Sequence, residues 1–261
     1  MSDLKVMRFE PHGPAATGMP EWDPIPADGL TSGEPVQRGH VYHDDKANGV
    51  MTGVWDCTPF TAKQAPYDVN EFMLVLEGSV TIVDENGAEE TIRAGQSFVI
   101  PKGMPCVWKQ TEYIRKFFVI FNDASGMTPE DASALKVIRP DPDGAMAPME
   151  VDASQPFVGE LPSQNIKAWF NDMTGQMTVG VWDSTPFERS PLPFPRHELM
   201  HLLEGSVTIS DGAGGEQVFV AGDTFFVPKG AMLGWKSTEY VRKIFCIFLE
   251  KQAAAQADAA E

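Results

Sequence analysis

The stretch GVWDCTPF at residues 53–60 returns as GVWDSTPF at 180–187, and LEGSVTI at 76–82 returns letter for letter at 203–209. IPKG at 100–103 reappears as VPKG at 227–230, and WKQTEYIRKFF at 108–118 as WKSTEYVRKIF at 235–245. Each pair is offset by 127 positions, as Trp182 is from Trp55, with no gap from Gly53 to Phe121. About half of the aligned positions are identical. A unit of this length is a whole domain rather than a solenoid repeat of roughly 20–50 residues. LKVMR at 4–8 matches LKVIR at 135–139 with an offset of 131, so the repeat begins ahead of its gapless core. The organisation expected is an N-terminal domain over 1–125 with an extended arm, a helical linker over 126–134, a second domain over 135–250 and a frayed tail over 251–261. Where the copies agree, the shared fold is the first explanation; where they differ, at least one pocket has been altered.

Composition narrows the function classes. The formal net charge is −17, and no Lys/Arg cluster supplies the basic face that nucleic-acid binding requires. The N-terminus MSDLKVMRFE has no apolar core of a signal peptide, and no run approaches the roughly 18 apolar residues of a spanning helix. Cys57, Cys106 and Cys246 are an odd set without metal spacing, and the other copy has Ser184, Leu233 and Val119 in their places. Reduced thiols in a cytoplasmic protein are the expectation, with neither nucleic acid nor membrane as partner.

Within each copy short β-rich runs alternate with turns. VTIV at 80–83 stops at DENG, SFVIP ends at Pro101 and Gly103, and YIRKFFVIF at 113–121 is a long apolar strand. Strands every 8–12 residues with Gly/Pro turns predict an all-β chain of antiparallel barrels or jelly rolls. One helix is expected between the copies, from the cap Thr128 through Pro129, Glu130 and Asp131 to about Lys136. Residues 10–35, rich in Pro and Gly, read as an arm over the surface.

The runs E-x-x-x-x-L-E-G, then A-G-[QD]-x-F-x-[IV]-P-K-G, then W-K, resemble the cupin superfamily, and two copies make a bicupin. The ending TEYIRKFFVIF, preceded by Cys106-Val-Trp108, is most similar to the small-cupin family that includes (S)-ureidoglycine aminohydrolase and to the ethanolamine-utilisation cupins. The resemblance implies two tandem double-stranded β-helix barrels (the RmlC-like jelly roll), each with a small-molecule pocket often built around a metal. Family membership alone does not settle function.

The usual cupin metal site takes two His spaced H-x-H, a Glu five residues on and a later His. Glu71 and Glu198 stand at the Glu position. The His positions hold Gln64, Pro66 and Cys106 in the first copy, and Pro191, Pro193 and Leu233 in the second. One carboxylate cannot hold a metal alone, so the second copy is expected to lack one at this position. Gln64, Glu71 and Cys106 form a mixed set through which the N-terminal barrel would take a divalent Mn, Fe, Zn or Ni ion if any is bound.

HELMH at 197–201 matches the H-E-x-x-H zinc pattern, which works on a helix. Here it aligns with NEFML, follows Pro191, Pro193 and Pro195, and runs into LLEGSVTI, so it reads as a strand. Residues four apart on a strand are about 13 Å apart, and Glu198 points away from both His.

Alternation groups Glu71 with Met73, and Cys106 with Trp108 and Gln110. Glu71 beside apolar groups suits general acid or base work, and Cys106 is the second catalytic candidate. Gln64, Met73, Trp108, Gln110, Lys116, Glu198 and Trp235 are the expected substrate-binding residues, the indoles serving as a stacking wall. Of Arg115 and Lys116, and of Arg242 and Lys243, one faces inward and could hold an anionic group. Three functions compete: a hydrolase, lyase or isomerase of a small polar metabolite with Glu71 as acid/base; a non-catalytic metabolite-binding or sensing bicupin; and, against the missing His, an iron or manganese dioxygenase or decarboxylase. The N-terminal barrel is expected to hold the main site, with Arg196, His197 and Glu198 as a lesser site in the other. A homo-oligomer is expected from exposed apolar sheet faces.

Overall fold

A computed structural model describes residues 4–127 and 129–250. The chain folds as two antiparallel β-barrels, each of two sheets. In the first barrel one sheet has the order Ser97–Ile100, Asn70–Glu77, Ile114–Phe121, Val50–Cys57, Gln37–Asp45. The other runs Leu30–Ser32, Phe60–Ala62, Pro105–Gln110, Ser79–Asp84, Glu89–Arg93. In the second barrel the larger sheet is built on Thr224–Val227, His197–Glu204, Val241–Phe248, Met177–Ser184 and Gln164–Asn171, and the smaller on Phe187–Pro193, Met232–Ser237, Ser206–Ser210 and Glu216–Val220. The LEG turns need their glycine: Gly78 and Gly205 have φ of 73° and 78°, and a Cβ at either would collide with the carbonyl of Tyr113 or Tyr240.

The strands Asn70–Glu77 and His197–Glu204 are nearly continuous runs of buried residues because both of their faces are covered. Met73 and Val75 face the first barrel's core and Met200 and Leu202 the second's. On their other face Phe72, Leu74 and Leu199 join Val119, Phe121, Phe226 and Phe248 in a third apolar cluster where the two large sheets pack against each other. Phe121 meets Phe248 across it, ring centroids 4.9 Å apart.

The leading segment of each copy pairs with the other copy's barrel. Met7–Phe9 adds to the edge of the second barrel, Met7 opposite Phe226 and Phe9 opposite Thr224. Ile138, from LKVIR, bridges to Val99 in the first barrel, with backbone hydrogen bonds in both directions of 2.8 and 3.0 Å. Arg8 reaches Asp223 at 2.7 Å and lies over the Phe219 ring, 4.2 Å from its centroid. Both charges are about one-third exposed, so a double-mutant cycle of Arg8→Ala with Asp223→Ala should give a coupling of about 0.5–1 kcal/mol in urea unfolding. A coupling of zero would mean that this crossing contact is only geometric.

The helix expected over 128–136 is not found: among the described residues of this stretch only Ala132–Ala134 forms a 3-10 turn, and Thr128 lies outside them. Asp131 does cap, its carboxylate accepting from the Ser133 amide at 2.9 Å and from its hydroxyl. The chain beyond it must extend to pair with Val99, and that tertiary pairing overrides local helix preference. The arm over residues 10–35 packs onto the first barrel, with Trp22 edge-on to Phe118 at 6.4 Å. The frayed tail expected over 251–261 also lies outside the described residues. None of the helices described is long and apolar enough to cross a membrane.

Candidate functional site

Each barrel encloses the same charged cage. Along paired strands Ile120 stands opposite Glu71, Phe118 opposite Met73 and Lys116 opposite Val75. The long Lys116 side chain runs past Met73, with Nζ 3.0 Å from its sulfur, to the Glu71 carboxylate at 2.7 Å. Its ammonium lies 4.9 Å from the ring centroids of both Trp55 and Trp108, which meet edge to face. The second barrel repeats this: Lys243 Nζ is 2.7 Å from Glu198 and 3.1 Å from the Met200 sulfur, between Trp182 at 4.8 Å and Trp235 at 5.4 Å. Alternation is thereby resolved in favour of Lys116 and Lys243 inward; Arg115 faces the other way, to Glu77 at 3.0 Å.

These ammonium groups bear on the metal question. In the first barrel Glu71 gives one oxygen to Lys116 and the other to the Tyr67 hydroxyl. Gln64 is exposed in the short loop before Ala65–Pro66, and Cys106 is buried without a metal-like neighbour set among the described residues. The expected Gln64–Glu71–Cys106 set thus has an exposed member, and a lysine ammonium already lies on its carboxylate. In the second barrel Pro191, Pro193 and Leu233 offer no side-chain donor beside Glu198. Neither barrel interior fits the usual cupin metal.

The surroundings of Cys106 disfavour the thiolate that a nucleophile needs. Burial pushes its thiol up to about 11, so at neutral pH it stays protonated. Gln110 holds the indole of Trp108 in place. It accepts from Trp108 Nε1 at 2.8 Å and donates to the carbonyls of Thr58 and Cys57 at 2.9 and 3.1 Å. Trp235 donates to Ser237 instead, at 3.3 Å.

The barrels differ in what surrounds the cage. In the first, Tyr67 closes on Glu71, and Trp22, Ile25 and Leu30 of the arm pack against the core. Burial, then Glu71, holds the Tyr67 hydroxyl well above its ordinary range, so it remains a donor. In the second, a cavity of about 210 Å³ opens onto the cage. Trp182, Trp235 and Phe187 wall it, with Phe187 stacked on Trp235 at 5.7 Å, and Glu198, Lys243, Arg189 and Arg196 bring charge to it. Arg196 takes the oxygen of Glu198 that Tyr67 takes on Glu71, through Nε at 2.9 Å and Nη2 at 2.8 Å. Burial pushes the Glu198 carboxyl up, but Lys243 and Arg196 more than offset this and hold it below its ordinary value. Lys243 is held down by burial, assisted by Arg196 and Arg189 against the pull of Glu198. The cavity beside this cage thus lies in the second barrel, whereas the polar residues at the former ligand positions had pointed to the first. Arg189 lines this cavity without having been singled out from the sequence, and the comparison of the copies carried the signal, since Arg189 and Arg196 replace Ala62 and Val69.

HELMH is a strand, His197–Glu204, and its two His lie on the face opposite Glu198. His43, Asp45 and His197 do bring three donor atoms within 4.8 Å of one another, a group that could hold a metal ion between the barrels. His197 Nδ1 accepts the Lys229 amide at 3.1 Å, which leaves the proton of the neutral ring on Nε2, 3.3 Å from Asp45. Asn70 accepts the Lys102 amide in the same way at 3.0 Å, so His197 has a turn-holding role that the repeat shares.

Comparison with known proteins agrees with this architecture. The model of the EutQ-like cupin domain matches residues 45–118 and again 172–245. The chain belongs to the EutQ-like cupin family. A solved protein of unknown function, of the DUF861 family, from Pseudomonas syringae pv. tomato is 28% identical, with a TM-score of 0.76 over 94% of this chain and 99% of that one. The protein Ylba from E. coli superposes with a TM-score of 0.55 at 10% identity, over 97% of this chain and 95% of that one. A cupin 2 conserved barrel domain protein from Leptotrichia buccalis does so at 0.51 and 13%, over 88% and 98%. The last two likenesses show the fold alone. No curated protein gives a significant match.

Proposed function

We propose that this bicupin binds a small polar metabolite, and that its second barrel does the binding. The observation that carries this reading is the cavity of about 210 Å³ with an aromatic wall and a buried Glu198–Lys243 pair. Small-molecule sites combine apolar walls with a few placed polar groups, and this volume is below the roughly 300–1,000 Å³ that suits drug-sized ligands. A metabolite library screened by thermal shift should yield ligands that raise Tm by mass action and change the fluorescence of Trp182 and Trp235. Ile166→Trp, which fills the cavity from its lining, should abolish that binding with the β-sheet circular dichroism unchanged. A library without any such ligand, or one whose ligands still bind the Ile166→Trp variant, would refute this reading.

A second reading, an enzyme of the hydrolase, lyase or isomerase type, is favoured by one observation: a carboxylate and an ammonium 2.7 Å apart line the same cavity. Glu198 and Lys243, rather than Glu71, would then move the proton. Ligand-dependent exchange of a substrate C–H proton in D2O, lost in Lys243→Met, tests this reading.

A further inference from the structure

The second barrel carries more positive charge than its own pairing uses. Three cations, Arg189, Arg196 and Lys243, line the cavity, and Glu198 is the one carboxylate buried there among the described residues. Lys243 and Arg196 both bind Glu198, one on each oxygen. Arg189 is left over. Its Nη1 donates to the neutral Gln155 Oε1 at 2.8 Å, and its Nε is buried with no acceptor among the described residues. The other acids of the lining, Glu150 and Asp152, are exposed, and Asp152 is turned into its own loop, accepting from the Ser154 amide at 3.0 Å and hydroxyl at 2.6 Å. Burial, then Arg196, pushes the Arg189 guanidinium down, with Glu198 pulling the other way.

A half-buried guanidinium with no carboxylate of its own is costly, so its presence needs a reason. The barrel itself does not supply one. The first barrel builds the same Glu–Lys–Trp–Trp–Met cage with Ala62 where Arg189 stands and Val69 where Arg196 stands. Arg189 lies opposite Trp235 at a break in the pairing of Phe187–Pro193 with Met232–Ser237, where the register shifts between Arg189 and Leu192. Such irregularities re-aim side chains next to binding sites.

We propose that the ligand of the second barrel is a small organic anion whose carboxylate is held by Arg189, with Arg196 beside it, and whose body lies against Trp235 and Phe187. This rests on the reading of the cavity as a binding site. The planar fork of a guanidinium matches a carboxylate in a way that the ammonium of Lys243 does not. The Arg189 side chain lines the cavity and has no ion-pair carboxylate of its own among the described residues.

The test uses the intact chain and two probes of nearly equal shape, malonate and its neutral diamide malonamide, titrated by calorimetry at low ionic strength. Malonate should bind at least about tenfold more tightly than malonamide, and Arg189→Ala should weaken malonate by at least about tenfold. Because alanine is the first barrel's own residue at this place, the variant should keep its circular dichroism and unfolding; Arg189→Gln serves as a bulkier control. Equal binding of the two probes, or malonate binding untouched by Arg189→Ala, overturns the anion while leaving the cavity a binding site. Malonate that still binds the Ile166→Trp variant overturns the cavity itself. Saturation by neither probe at tens of millimolar overturns the anion and leaves the cavity to the library screen.

Discussion

Glu198→Gln should destabilise the second barrel by about 3–5 kcal/mol, the usual cost of removing one partner from a buried ion pair. The substitution keeps shape and removes charge. Glu198 is 1% exposed and is the counterion of both Lys243 and Arg196, so the amide leaves an ammonium and a guanidinium facing each other in a poorly hydrated barrel. Urea unfolding followed by tryptophan fluorescence measures the loss, since Trp182 and Trp235 flank Lys243. Glu71→Gln should act likewise on the first barrel, where Glu71 faces Lys116. The double variant Glu198→Gln/Lys243→Met should recover much of the loss, because an apolar chain replaces the stranded ammonium. An unchanged midpoint for Glu198→Gln would show that the indoles and Met200 hold Lys243 without a counterion. The pH sign is fixed: Glu198 has its folded value depressed, so its contribution is present above the ordinary 4.5 and is lost as pH falls through the folded value.

The sequence made two barrels legible because the repeat is long and gapless over the core strands, and because a strand reading of HELMH follows from its register with NEFML. It also placed Glu71, Met73 and Trp108 on inward faces by alternation. What it did not reveal was pairing between distant strands. Lys116 was one of two candidates for the interior, and only the register of Ile114–Phe121 against Asn70–Glu77 shows that it reaches Glu71. The crossing of Met7–Phe9 to the second barrel is an edge pairing 217 residues away along the chain, from Arg8 to Phe225, and local pattern carries no information on such a partner. The helix expected from Thr128 was read from sound capping chemistry, yet the following strand pairing removed the residues it needed. Gln64 was carried inward by a family position, although the loop around it is exposed.

The acid side of the stability profile should be set in large part by His201. Burial lowers its pKa from the ordinary 6.5 to about 4, with Asp223 pulling weakly the other way. Its Nδ1 lies 2.9 Å from the Thr224 hydroxyl. The folded chain takes up this proton less readily than the unfolded chain, so stability is complete above pH 6.5 and falls as pH drops toward 4. A displacement of that size is worth on the order of 3 kcal/mol at the acid end. The first copy has Leu74 at this position, buried in the cluster between the two large sheets, so leucine already fits the geometry there. His201→Leu should therefore differ little from the parent near pH 8 and become steadily more stable relative to it between pH 6.5 and 4. His43 and His197, held down by burial as well, remain in both proteins and cancel in the comparison, as does the carboxylate titration of Glu198. Urea unfolding of the two proteins at matched pH gives the difference directly. Parallel curves across that window would show that His201 takes up its proton in the folded barrel as easily as in the open chain, and that the polar neighbours Thr224 and Asp223 are enough to hold an imidazolium between the sheets.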